Sequence, residues 1–302
     1  MTPRSNSGEA PLSHFPTPPT AAPDPTSLSS SGAAERTGEE RIADAFEAAK
    51  AEGRAALMPY MMAGFPDQEA SLAIAAAYVD AGADLIELGV PFSDPLADGP
   101  VIHAAATAAL EAGATLGSAL ETCRSVSDRV PVIFMVYANM VLAHGGASEF
   151  ARLAAAAGAA GAIVPDLPLD EADEVREAFA DAGLALVPLV APTTPPERRA
   201  RICAAAQGFV YVVSTVGTTG ERDEIPPALA ELVAATKAES EVPVAVGFGI
   251  GTAAQAAEVG RLADGVIVGS RLVRATAEAS SAADAADAVA GFLSEARVAL
   301  AG

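Results

Sequence analysis

Lysine is nearly missing from this chain, occurring only at Lys50 and Lys237, each inside an Ala/Glu-rich helical pattern. A Schiff-base lysine belongs at a desolvated strand end, so this placement argues against imine chemistry. Histidine is almost as scarce, at His14, His103 and His144, and the absence of paired spacing leaves a histidine-built metal centre unsupported. Cys123 and Cys203 are single and far apart, with neither metal-site spacing nor a disulfide framework. They read as buried core thiols, which fits a reducing cytoplasm. No run of about 18 apolar residues occurs, so a membrane span is not expected. With 18 basic against 39 acidic residues the net charge is −21, which argues against a nucleic-acid-binding surface. Chemistry is left to carboxylates, hydroxyls, backbone N–H groups and water.

Residues 1 to 37 are rich in Pro, Ser, Thr, Gly and Ala without an apolar period and read as a disordered leader, with 38–302 forming one folded domain. The leader lacks the basic and apolar regions of a signal peptide. Arg4 and Arg36 against Glu9, Asp24 and Glu35 do not suit a transit peptide either, so it reads as an untargeted tail or an early start.

From Glu39 the pattern Ile42, Ala45, Phe46, Ala49 marks an amphipathic helix, and strand and helix then alternate. The expected strands are 57–63, 84–89, 132–137, 162–165, 185–190, 209–214, 244–247 and 265–268. They are near-continuous apolar runs, as buried parallel strands require. Glycines before several of them, such as Gly82, Gly158 and Gly183, suit helix C-termini. Eight such units in about 250 residues point to α/β architecture as a single (β/α)8 TIM barrel, with its active site at the C-terminal strand ends. An open doubly wound sheet is the alternative, but Gly-x-Gly-x-x-Gly after the first strand is missing.

The segment from Asp84 to Pro100 organises the chain. Leu85, Glu87 and Gly89 share one face of a period-2 strand and Ile86 and Leu88 the other, so Glu87 points the same way as Leu85. A carboxylate there is costly unless paired, and no other predicted strand offers a Lys or Arg. The Asp-containing Pro/Gly turns that follow suit a shaped loop, which makes Glu87 and Asp98 a carboxylate pair. Glu87 also admits a purely structural role, held by hydroxyls such as Tyr60 or Tyr211. Two glycine-rich turns, 247–252 and 269–271, follow the last two strands, where barrels commonly bind phosphate through backbone N–H groups. The hydroxyl-rich stretch 214–221 reads as a surface loop or a lid, and its place beside that phosphate site favours the lid.

The stretch Leu85-Ile-Glu-Leu-Gly-Val-Pro-Phe-Ser-Asp-Pro-Leu-Ala-Asp-Gly-Pro100 closely resembles the signature of the tryptophan synthase alpha subunit family. Similarity extends from about Arg41 to the C-terminus, through Pro59-Tyr60, Val136-Tyr-Ala-Asn139, Pro165-Asp-Leu-Pro168, Ser214 to Gly220, Gly247-Phe-Gly-Ile250 and Gly269-Ser270. The resemblance implies a barrel that splits indole-3-glycerol phosphate into indole and glyceraldehyde 3-phosphate. It makes Glu87 the general acid and base and Asp98 the carboxylate that receives the indole N–H. It places Gly220, Gly249, Gly269 and Ser270 at the phosphate, and Tyr60, Tyr137, Tyr211 and Phe248 around the substrate. Thr219 becomes a lid hydroxyl that meets the Asp98 loop.

The resemblance also implies a partner, the pyridoxal-phosphate-dependent beta chain, in an assembly of two alpha and two beta chains. The docking surface would include Pro91, Asp94, Asp166 and Pro168, and no cofactor is expected in this chain itself. Thr215, Thr218, His103 and Ala106 depart from the commonest family pattern and bear on lid closure and its coupling to the partner. A stand-alone indole-glycerol-phosphate lyase and a non-catalytic phosphate-binding barrel stand as alternatives.

Overall fold

Strands buried on both faces need apolar side chains, and each strand segment of this chain is such a run apart from Glu87 in the second strand. The computed structural model describes residues 36–143, 145–213, 226–247 and 249–302. Its elements begin with α1 (Gly38–Ala51), β1 (Ala56–Met62), α2 (Gln68–Asp80), β2 (Ile86–Gly89), α3 (Pro100–Glu111), α4 (Leu116–Val126) and β3 (Val132–Met135). There follow α5 (Ala138–Leu142), α6 (Gly146–Ala156), β4 (Gly161–Ile163), α7 (Asp173–Asp181), β5 (Ala185–Val187), β6 (Leu189–Val190), α8 (Pro196–Ala204) and β7 (Val210–Val213). The chain ends with α9 (Pro227–Glu239), β8 (Val244–Gly247), α10 (Ala253–Gly260), β9 (Gly265–Val268), α11 (Ser270–Glu278) and α12 (Ala282–Leu300). Residues 1–35 of the expected leader, and the whole of the expected lid at 214–221, lie outside the described residues.

All ladders are parallel, in the order β5-β4-β3-β2-β1-β9-β8-β7-β6. The single strand expected at 185–190 is split into β5 and β6 at Pro188. Proline has no N–H to give a ladder. Its carbonyl still accepts from the Tyr211 N–H at 3.0 Å. The chain therefore pairs with β4 before the break and with β7 after it, and the ring of strands closes through this interrupted member. Asp84 and Leu85 also fall ahead of β2 rather than within it. The Asp84 carboxylate, not its carbonyl, takes the Leu57 N–H at 2.7 Å.

Alternate strand positions separate two apolar layers. Leu57, Ile86, Leu88, Phe134, Val210, Val246 and Val266 pack outward against the helices. Met58, Leu85, Ile133, Ile163, Val187, Phe209, Ala245 and Ile267 fill the barrel. Three residues of α1, Ile42, Phe46 and Ala49, join that interior at no more than 4% exposure. Their partners are the early residues of the strands, so α1 lies across the N-terminal end and seals it. A Thr37 capping box with Glu40 starts this helix.

The same end carries a buried ion-pair network. The Arg54 side chain, 1% exposed, donates to both carboxylate oxygens of Asp84 at 2.6 and 2.8 Å and to Glu52 at 2.8 Å. Arg297 from α12 adds a bond to the Gly82 carbonyl at 2.9 Å and one to Glu52 at 2.9 Å. One cluster thus fixes the start of β1, the start of β2 and the last helix together, leaving the opposite strand ends for chemistry.

Candidate active site

At the C-terminal end of β2, Glu87 points into the barrel mouth and is 2% exposed. Parallel pairing sets Tyr60 of β1 opposite it on one side and Ile133 of β3 on the other. Its Oε2 is buried and accepts no hydrogen bond among the described residues. Removal from water penalises the charged form, and the nearby Asp98 carboxylate adds repulsion, so the Glu87 carboxyl is pushed up to about 8. A carboxyl near neutrality can both give and take a proton, which is what a single acid–base group needs.

Asp98 sits on the loop between β2 and α3. Proline at the first position of α3 suits a helix start, and the Gly99 cap brings no side chain. Asp98 is half-buried, and burial raises its carboxyl. A hydrogen bond with the Tyr137 hydroxyl and the charge of His103 oppose that rise. Tyr137 is the hub of this loop. Its hydroxyl accepts the Ala97 N–H at 3.1 Å, and its ring lies 5.3 Å from that of Phe92. Tyr137 also begins α5, where Asp166 accepts the Ala138 N–H at 2.8 Å. The 165–168 turn and the Asp98 loop are therefore linked through adjacent residues.

Of the expected docking residues, Asp94, Asp166 and Pro168 are exposed, whereas Pro91 is buried. Leu96, at 85% exposure, stands out on the same loop. A single leucine among turn residues carries no periodic signal, so nothing in the sequence marks it. His103 is exposed and Ala106 is buried against the core.

Two inward tyrosines line the mouth above the apolar fill, and each depends on a glycine beside it. The Tyr60 hydroxyl lies 2.2 Å from where a Cβ on Gly89 would stand, and the Tyr211 hydroxyl 2.4 Å from the same point on Gly247. Any larger residue there would displace the ring. Gly269 also borders Tyr60, with its missing Cβ position 3.7 Å from the tyrosine Cβ.

The two glycine turns differ in what their helices need. The start of α10 is closed by a Thr252–Gln255 capping box, and Gln255 also accepts the Gly251 N–H at 2.8 Å. The start of α11 has no side-chain cap, and Ser270 is buried there. Its N–H groups and dipole form the better anion cradle. Gly249 has φ +64°, a left-handed conformation suited to glycine. Arg271 does not serve this cradle, since its guanidinium lies over the Phe292 ring at 5.4 Å.

Glu87, Asp98, Tyr60, Tyr137 and Tyr211 are thus coupled at one mouth, with Tyr60 electrostatically sensitive to both carboxylates. Thr219, Gly220 and Phe248, and the departures Thr215 and Thr218, lie outside the described residues. Among the described residues, no group of three or more His, Cys, Asp and Glu side chains converges to hold a metal. No described helix is long and apolar enough to cross a membrane.

The family model described as "Tryptophan synthase alpha chain" matches residues 46–299. The tryptophan synthase alpha chain of Synechococcus sp. (strain CC9902) is 50% identical over 250 residues, covering 82% of this chain and 93% of that protein. That of Chloroflexus aurantiacus is 46% identical over 236 residues, covering 77% and 88%. Among solved structures, Mycobacterium tuberculosis tryptophan synthase superposes with a TM-score of 0.80 at 40% identity, covering 88% of this chain and 99% of that one. Tryptophan synthase subunit alpha from Legionella pneumophila gives 0.78 at 39% identity, covering 86% and 98%. With the barrel, the paired carboxylates and the agreement along most of its length, this chain belongs to the tryptophan synthase alpha chain family.

Proposed function

We propose that this chain is an alpha subunit that cleaves indole-3-glycerol phosphate to indole and glyceraldehyde 3-phosphate in tryptophan synthesis. The observation that carries this reading is Glu87, a buried carboxyl at the barrel mouth with one unpartnered oxygen and a pKa lifted to about 8. Indole leaves poorly as a carbanion. Protonated Glu87 gives its proton to the indole carbon that bears the glycerol chain, while the Asp98 carboxylate accepts the ring N–H and stabilises the cation formed. The carboxylate of Glu87 then takes the proton of the adjacent side-chain hydroxyl. The carbon–carbon bond breaks, its electrons return to the ring, and the hydroxyl carbon becomes the aldehyde. Tyr137 orients Asp98, Tyr60 and Tyr211 flank the indole, and Gly249, Gly269 and Ser270 take the phosphate, with Thr219, Gly220 and Phe248 completing the site.

The same reading supplies a partner. The beta chain, which carries pyridoxal phosphate, docks at the mouth in an assembly of two alpha and two beta chains, and the complex works in the cytoplasm. Asp94, Asp166 and Pro168 form the exposed docking surface, with Pro91 shaping it from beneath. Because Asp94 shares a loop with Asp98, docking steadies the catalytic carboxylate and raises turnover. The test is indole formation by the purified chain with and without the beta chain. Stimulation that is largely lost in Asp94→Ala supports the reading. Equal stimulation of both proteins rejects this route, and turnover with no stimulation points to a stand-alone lyase.

A further inference from the structure

Two polar groups face the same interior at the mouth without partners among the described residues. Glu87 Oε2 accepts no hydrogen bond, and the hydroxyl of Tyr60, a residue 6% exposed, makes none among the described residues. Tyr60 and Glu87 are register partners on β1 and β2, so their side chains leave the pleat toward the same interior at the same level. The Tyr60 ring then leans over β2, ending 2.2 Å from the missing Cβ of Gly89. Gly89 is the next inward residue after Glu87, about 7 Å nearer the mouth. The phenol oxygen therefore lies on the substrate side of the carboxyl. Other titratable groups facing Glu87 are Asp98 from the following loop and Tyr211 from β7, while Tyr137 from the start of α5 faces Tyr60. The Tyr211 hydroxyl is turned over Gly247 instead, so Tyr60 is the phenol on Glu87's own neighbouring strand.

We propose that the Tyr60 hydroxyl is a positioning group for Glu87: it donates to the carboxylate left after the first proton transfer and keeps it aimed at the substrate hydroxyl. This rests on the cleavage reaction proposed above. Tyr60 keeps its own proton throughout, because burial and the two carboxylates hold the phenol well above its ordinary pKa. Its hydrogen bond favours ionised Glu87 and so partly offsets the burial that favours the neutral acid. Gly89 belongs to the same device, since a Cβ there would evict the hydroxyl without removing it.

The experiment is the pH dependence of indole-3-glycerol phosphate cleavage by wild type, Tyr60→Phe and Gly89→Ala, with binding of glycerol phosphate measured beside it. Removing a donor from a carboxylate raises the carboxyl pKa, so the limb governed by Glu87 moves up by about one pH unit in Tyr60→Phe. Turnover falls about tenfold, while KM and glycerol phosphate binding stay within about twofold of wild type. Gly89→Ala moves the limb in the same direction with the phenol still present. Wild type that does not cleave this substrate defeats the functional reading itself. Wild type that turns over, beside a Tyr60→Phe limb that stays in place, overturns the role assigned to Tyr60.

Discussion

Glu87→Gln keeps the shape of the side chain and removes its charge, so it measures what burying that carboxyl costs the fold. In the unfolded chain the group titrates near 4.5, and in the folded chain near 8, chiefly from desolvation. Between those values the folded state holds a proton that the unfolded state has released. Folding is thus favoured fully below about pH 4.5, and stability falls as pH rises, by about 1.4 kcal/mol per pH unit, until the folded carboxyl ionises. Above about pH 8 the loss levels off near 5 kcal/mol. The glutamine variant has no such term, while most other titrations are common to both proteins and cancel in the difference. Urea unfolding of the two proteins at steps from pH 5 to pH 9 reads it directly. The variant gains on wild type steadily as pH rises and ends several kcal/mol ahead. A difference constant within about 0.5 kcal/mol across the range would refute the burial argument. Activity moves the opposite way, with turnover down by about 10²-fold or more and KM little changed, because the amide cannot carry a proton.

Asp98→Asn keeps a partner for Tyr137 but removes the anion that faces the ring nitrogen, so turnover in steady-state assay falls about 10²-fold or more with far-UV CD unchanged. Gly249→Val forces a β-branched residue to φ +64° and weakens glycerol phosphate binding, read by calorimetry, by about tenfold. Arg54→Met leaves Asp84 buried without its bidentate partner and costs about 3–5 kcal/mol in urea unfolding, although it lies far from the mouth. A cost below about 1 kcal/mol would mean that the network at the sealed end is replaceable.

Strand placement was legible because each parallel strand is a short apolar run between turn residues, a local signal that needs no knowledge of the partner strand. The split at Pro188 was not, since an apolar run containing one proline still reads as one strand until its two neighbours are known. That Glu87 shares a face with Leu85 followed from the period of two, but that this face is the barrel interior did not, because Ile86 and Leu88 on the other face are equally apolar. That Tyr137 holds Asp98 did not, because the two are 39 positions apart and meet only when β2 and β3 pair. The Arg54–Asp84 pair was missed for a related reason. Asp84 looked like the first residue of a strand, and nothing local says that an arginine 30 residues earlier will claim both its oxygens. Long-range polar contacts leave no periodic trace, whereas apolar burial leaves one at every strand.

The helix packed across the N-terminal end leaves the opposite end of the barrel as its doorway. With Ile42, Phe46 and Ala49 filling the floor, the far end of the interior is plugged. A protein seated over that doorway controls release as well as entry. The stopper at the far end, remote from every reacting atom, is what makes a lid or a docked neighbour an effective gatekeeper.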